Sequence, residues 1–214
     1  MDELELLKKK WQSGEHELPK LTYDDIYKML LKKSSSIVKW IFFISIAEII
    51  FWTVLALFVP ESSRKFTDDI GLHNVLIGVN IVNYAVFAIF IVLFYRNYRR
   101  ISITDTVREL MHNIIVTRKT VKYFVIYNIV ASALLIIGIN VYYYLNQDIV
   151  FQYMIADFGV TNISQEKFMN MFFFIQIAFG VGMILLIMLF YRVVYGILLK
   201  RLSNNYKELE KIEM

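Results

Sequence analysis

Five polar side chains stand where the neighbouring chain is apolar: Glu48, Asn80, Asn83, Asn128 and Gln176. In hydrocarbon an ionised carboxylate costs about 3 kcal/mol or more, so Glu48 should face other helices and be neutral unless a cation lies beside it. A carboxyl at that depth can take up and release a proton, and amide oxygens around it can ligate an ion. The five together would suit a proton-linked site for an ion or small cation. They would equally suit interhelical hydrogen bonding, at about 0.6 kcal/mol per contact, in helices with no hydrophobic drive to associate. The apolar runs offer Glu48 no second acid and no basic partner, which a proton relay would want.

A second set points to surface contacts. Trp11, Lys32, Lys33, Arg99, Arg100, Arg118 and Lys119 lie on or beside amphipathic stretches, a pattern that fits anionic lipid or a cytosolic protein. Catalytic constellations do not appear. The histidines His16, His73 and His112 are far apart in the sequence, and Asp24, Asp25, Asp68, Asp69 and Asp157 read as loop or cap residues. The chain has no cysteine, which excludes disulfides, thiolate zinc sites and cysteine nucleophiles. No G-x-S-x-G, glycine-rich phosphate loop or H-E-x-x-H occurs. No enzyme activity, cofactor or metal is therefore expected.

The elements that must position these residues are long and apolar. The 214-residue chain is 57% hydrophobic and 20% charged, against about 45–50% and 25% in soluble domains. The charges are clumped, leaving long apolar runs over 37–59, 72–95, 121–145 and 168–199, each with no more than two of Asp, Glu, Lys and Arg. Each run exceeds the roughly 20 helical residues that cross about 30 Å of hydrocarbon. A strand barrel is excluded, because the runs do not alternate and are too few.

Basic residues predict the orientation. Of the 23 Lys and Arg, only Arg64, Lys65 and Lys167 fall in the loops after the first and third runs. The others flank the opposite ends, so the positive-inside rule puts both termini in the cytoplasm of a bacterial inner membrane. The pI near 9.1 then reflects topology and lipid contact, with no nucleic-acid partner expected. Trp40, Tyr95, Tyr98, Tyr123, Tyr191 and Tyr195 read as anchors at the inner interface, and Tyr142, Tyr143 and Tyr144 at the outer one. Glu48 lies nine residues beyond Lys39, about 13–14 Å along the helix and close to the midplane. Asn83 and Asn80, one turn apart, reach compatible depth; Asn128 is nearer the inside, and Gln176 and Asn140 nearer the outside. Ala178, Gly180 and Gly182 would allow close helix approach.

The expected fold is all-α: a polytopic membrane protein, a four-helix bundle with both ends inside. Residues 1–36 form a cytosolic amphipathic segment, 37–95 a first helix pair, 96–120 an amphipathic linker helix, 121–199 a second pair with an outer loop helix over 148–158, and 200–214 a cytosolic tail. Leu4, Leu7 and Trp11 share one helical face near the start. Thr22 with Asp25, and Thr106 with Glu109, are spaced as capping boxes. The stripe Val107, Leu110, Met111, Ile114 and Ile115 would lie on the bilayer, dock on its own bundle or receive a partner. Val38-Lys39-Trp40 and Val121-Lys122-Tyr123 open matching spans, while Leu93-Phe94-Tyr95-Arg96 and Leu189-Phe190-Tyr191-Arg192 close them. That symmetry is expected from a tandem two-span repeat.

The run IYKMLLKKSSSIVKWIF, with the opening MDELELLKK and its following Trp11, resembles a group of uncharacterised bacterial four-span inner-membrane proteins. Members sometimes carry an automatic beta-carotene monooxygenase name. Carotenoid cleavage needs iron held by several histidines, and three scattered ones do not supply it. The resemblance implies fold and compartment and brings no catalytic residues. Two functions are open: a non-enzymatic membrane anchor or regulator contacting a cytosolic partner, and a small homo-oligomeric transporter or channel-like subunit using Glu48.

Overall fold

The structure, a computed structural model, describes residues 22–158 and 163–213 together with residues 5, 8 and 9. The stretch with Leu4, Leu7 and Trp11, along with His16 and Gly159, lies outside the described residues. Among the described residues the elements are all helices: α1 Tyr23–Leu57, α2 Glu61–Asp69, α3 His73–Ser102, α4 Val107–Leu145, α5 Gln147–Phe158 and α6 Gln165–Glu213.

Four helices are long and apolar enough to cross a membrane: α1, α3, α4 and α6. At 35, 30, 39 and 49 residues they run about 45–74 Å, well beyond about 30 Å of hydrocarbon. Their outward faces carry Phe43, Phe51, Ile81, Leu134, Phe174 and Phe179, all exposed. Water would not tolerate so continuous an apolar coat, whereas lipid is a matched solvent for it.

The long helices pack in the cyclic order α1, α3, α4, α6, with a weaker diagonal contact between α1 and α4. Neighbours run antiparallel. Ser34 pairs with Asn205, and Glu48 with Tyr191, so α1 rises as α6 descends. Three clusters fill the interior. Leu30, Val38, Ile101, Leu110, Ile114, Leu202 and Leu209 pack at the end rich in Lys and Arg. Around the middle, Phe124 is fully buried and meets Phe87, Phe90, Phe94, Tyr191 and Tyr195 at ring centroid distances of 5.7, 5.2, 5.5, 6.2 and 5.8 Å. At the other end α5 lays Val150, Phe151 and Met154 on Phe168 and Met169 of α6, joined by Ile70 and Leu72.

The amphipathic segments are not separate units. Residues 23–36 continue directly into the apolar part of α1, 107–120 into that of α4, and 200–213 out of that of α6. The stretch 96–120 is divided by the turn at 103–106 rather than forming one linker helix. Val107, Leu110 and Ile114 point into the basic-end core, so the stripe docks on its own neighbours, while Ile115 stays exposed. Thr22 and Asp25 make the full capping box; Thr106 accepts from the Glu109 amide at 3.3 Å without the reciprocal bond. The outer loop helix appears as α5, one residue longer than expected, at Gln147–Phe158. The hydrophilic α2, ESSRKFTDD, has no apolar period to reveal it and starts on Pro60, whose fixed φ suits a helix entry.

Candidate functional site

Glu48 is 7% exposed and accepts hydrogen bonds from two phenols of α6, Tyr191 to Oε1 and Tyr195 to Oε2, the latter at 3.2 Å. Helix geometry explains why residues that resemble interface anchors reach so deep an acid. Tyr191 and Tyr195 are four apart and share one face. Tyr191 is nine residues from Lys200, as Glu48 is from Lys39, so both are about 13–14 Å inside a terminal lysine. Side chains on a helix lean toward its N-terminus. Tyr191 is level with Glu48, whereas Tyr195 lies one turn nearer the basic end; on antiparallel helices Glu48 leans toward that end and Tyr195 away from it, so these two converge.

The surroundings fix this cluster. Phe124 packs on both phenol rings from α4, and Ser45, one turn before Glu48, is buried with its hydroxyl bonded to the Phe42 carbonyl at 2.7 Å. The carboxyl can be served in either protonation state. An anion accepts from both hydroxyls, and a neutral acid can hand its own proton to one phenol oxygen.

The amides expected beside Glu48 lie elsewhere. Asn80 is exposed on the outside of α3. Asn83 accepts from Tyr127 on α4 at 3.0 Å. Asn128 donates to the Phe124 carbonyl of its own helix at 2.9 Å. Gln176 lies fifteen residues from Tyr191 along α6, about 22 Å away, with a buried Oε1 that has no partner among the described residues. Depth along a helix was readable, but the direction around it decides contact: Asn80 faces outward, Asn83 and Asn128 bond elsewhere, and Gln176 is too far along α6 to reach the carboxyl. Arg192 sits at the level of Glu48 as a cation inside the fourth apolar run, yet it is exposed and makes no ion pair among the described residues. Gly180, rather than Ala178 or Gly182, is the point of close approach: a Cβ there would stand 2.9 Å from Ile136 Cγ2, while one on Gly182 meets nothing within 4 Å.

Several sequence-level anchors also turn inward. Tyr191, Tyr195 and Tyr143 are buried, whereas Trp40, Tyr95, Tyr123 and Tyr144 are exposed as interfacial rings should be. Tyr142 donates to the Ile70 carbonyl and ties α4 to the turn after α2. Lys32, Lys33, Arg99, Arg100 and Lys119 are exposed around the basic end; Arg118 is half-buried, with an Nε that has no partner among the described residues. His73 pairs with Asp68 at 2.6 Å on the surface, and His112 is exposed.

A family described as Domain of unknown function (DUF8845) matches residues 24–214. The chain belongs to this family. The DUF8845 match takes in α1 from Asp24 onward and every later element, so Glu48, Tyr191 and Tyr195 all fall within the family region. No curated protein and no solved structure matches the chain.

Proposed function

We propose that this is a non-enzymatic bacterial inner-membrane protein, with both termini in the cytoplasm, that anchors or regulates a cytosolic partner. The observation that carries the reading is the packed extension at the basic end. Residues 23–36, 107–120 and 200–213 prolong three helices by about 20 Å past their apolar parts. A protein that only had to sit in lipid would not need that length. The extension buries its apolar residues in its own core, with Leu30, Leu110, Leu202 and Leu209 all inside. What faces outward is net cationic: Lys32, Lys33, Arg99, Arg100 and Lys119, none in an ion pair among the described residues, outweigh the exposed acids clustered at the helix ends such as Asp24, Asp25 and Glu210. Such a surface fits an acidic partner face, and electrostatic complementarity would set its on-rate and salt dependence.

A photo-crosslinking residue at position 33 tests this in cells. A cytosolic protein should crosslink there, and the adduct should vanish when Lys32, Arg99 and Arg100 are changed to Glu while membrane insertion is unaffected. An identical adduct pattern from a crosslinker at position 64, on α2 at the other end, would remove the reading. A reporter fused after residue 214 checks the orientation and should read as cytoplasmic.

The second reading, a small oligomeric transporter or channel-like subunit using Glu48, has the buried acid in its favour. The groups that would ligate a cargo do not gather around it. Glu48→Gln should leave ion flux into proteoliposomes unchanged; lost flux in that variant would restore the transport reading.

A further inference from the structure

On the outside of the α4–α6 seam runs an open groove of about 560 Å³, within the size range of about 300–1,000 Å³ typical of ligand sites. Its walls are apolar, with Ile126 and Ile129 from α4 and Leu185, Met188 and Leu199 from α6. Along α6 it spans fourteen residues, about 21 Å, comparable with the roughly 15 Å of hydrocarbon in one leaflet. Gly196 keeps it open, since a Cβ there meets nothing within 4 Å.

Two cations line the same groove, Lys122 and Arg192. Both are exposed, and neither makes an ion pair among the described residues. Arg192 is eight residues short of Lys200, about 12 Å into the apolar part of α6. A charge at that depth needs an anion or a path to water. Glu48 is not that anion: it makes no ion pair among the described residues, and the rings of Tyr191 and Tyr195, which donate to it, close the groove's inner side. Apolar walls that run about 10 Å beyond Arg192 toward Leu185, with two cations in no ion pair among the described residues, are complementary to a molecule that is both long-chained and negatively charged.

We infer that the groove holds one anionic phospholipid, an acyl chain along the apolar walls and the phosphate between Lys122 and Arg192. The site depends only on the lipid bilayer and is independent of which side of the membrane the basic end faces. Each cation near a headgroup contributes enough that losing both should weaken binding about 10–30-fold.

The test uses the full chain in a maltoside detergent, titrated with phosphatidylglycerol in mixed micelles and read by native mass spectrometry and by the thermal unfolding midpoint. Phosphatidylglycerol should bind one per chain and raise the midpoint. Changing both Lys122 and Arg192 to Ala should weaken it by the stated factor. Gly196→Leu should abolish it by filling the groove, with the midpoint in lipid-free detergent unchanged. If the double variant does not fold, Gly196→Leu decides alone. Phosphatidylcholine binding as tightly as phosphatidylglycerol, glycerol phosphate without chains competing equally, or Gly196→Leu binding like the wild type would each overturn the assignment.

Discussion

If Glu48 is a latch between α1 and α6, its energetics must be coupled to Tyr191 and Tyr195. Changing both tyrosines to Phe keeps the rings against Phe124 but strips the carboxyl of both donors. Polar contacts between membrane helices are worth about 0.6 kcal/mol on average and up to about 1.7, so the double change should cost about 1–3 kcal/mol. Glu48→Leu removes the carboxyl but leaves two phenols without an acceptor, at a similar cost. The triple variant, which combines Glu48→Leu with Tyr191→Phe and Tyr195→Phe, has no unpaired polar group in the site. It should recover most of the loss, giving a coupling energy of about 2–5 kcal/mol. Reversible unfolding in mixed micelles of dodecyl sulfate and a mild detergent, followed by helical circular dichroism, measures all four corners. Losses that simply add, with the triple variant as unstable as the sum of its parts, would refute the latch.

Three further outcomes follow from the same geometry. Gly180→Val should destabilise the α4–α6 seam by about 1–3 kcal/mol, because Ile136 is β-branched and cannot swing aside within a helix, while Gly182→Val should change the unfolding midpoint little. Burial, with Asp105 and Glu109 nearby, pushes the Tyr27 phenol above its ordinary range, and it donates to the Thr104 carbonyl at 2.8 Å. That contribution is present below the ordinary phenol value near 10 and is lost as pH rises through the higher folded value; Tyr27→Phe should cost about 0.5–1.5 kcal/mol at neutral pH and reduce the alkaline dependence of stability by this residue's share. The Thr22 hydroxyl and backbone amide hold the Asp25 carboxyl below its usual range, so the start of α1 should fray as pH falls through that lowered value, seen as faster amide exchange over residues 23–27, and Thr22→Ala, which keeps only the backbone donor, should shrink this acid step.

What was legible in the sequence was whatever a single helix decides alone. Four apolar runs longer than a bilayer is thick cannot be anything but long helices, and all four appear. The capping pair Thr22–Asp25 and the outer helix at Gln147–Phe158 are likewise local. The site was half legible. Glu48 was recognisable as a carboxyl in the wrong solvent, yet its partners were not, because Tyr191 and Tyr195 flank Arg192 and look like interfacial rings. The signal that could have found them was the equal nine-residue spacing, Lys39 to Glu48 and Tyr191 to Lys200, combined with the i,i+4 repeat of phenols. Asn80 failed for the opposite reason: its depth was compatible, but on a helix coated with apolar side chains nothing local says which face meets lipid.

The 49 residues of α6 run without a break from the α5 end to the basic tip. A stiff rod of about 74 Å acts as a lever. Any change of tilt where it is gripped by lipid is delivered, undiminished, to its far end, so a few degrees there become several ångströms of travel for Leu209 and the cationic surface around it.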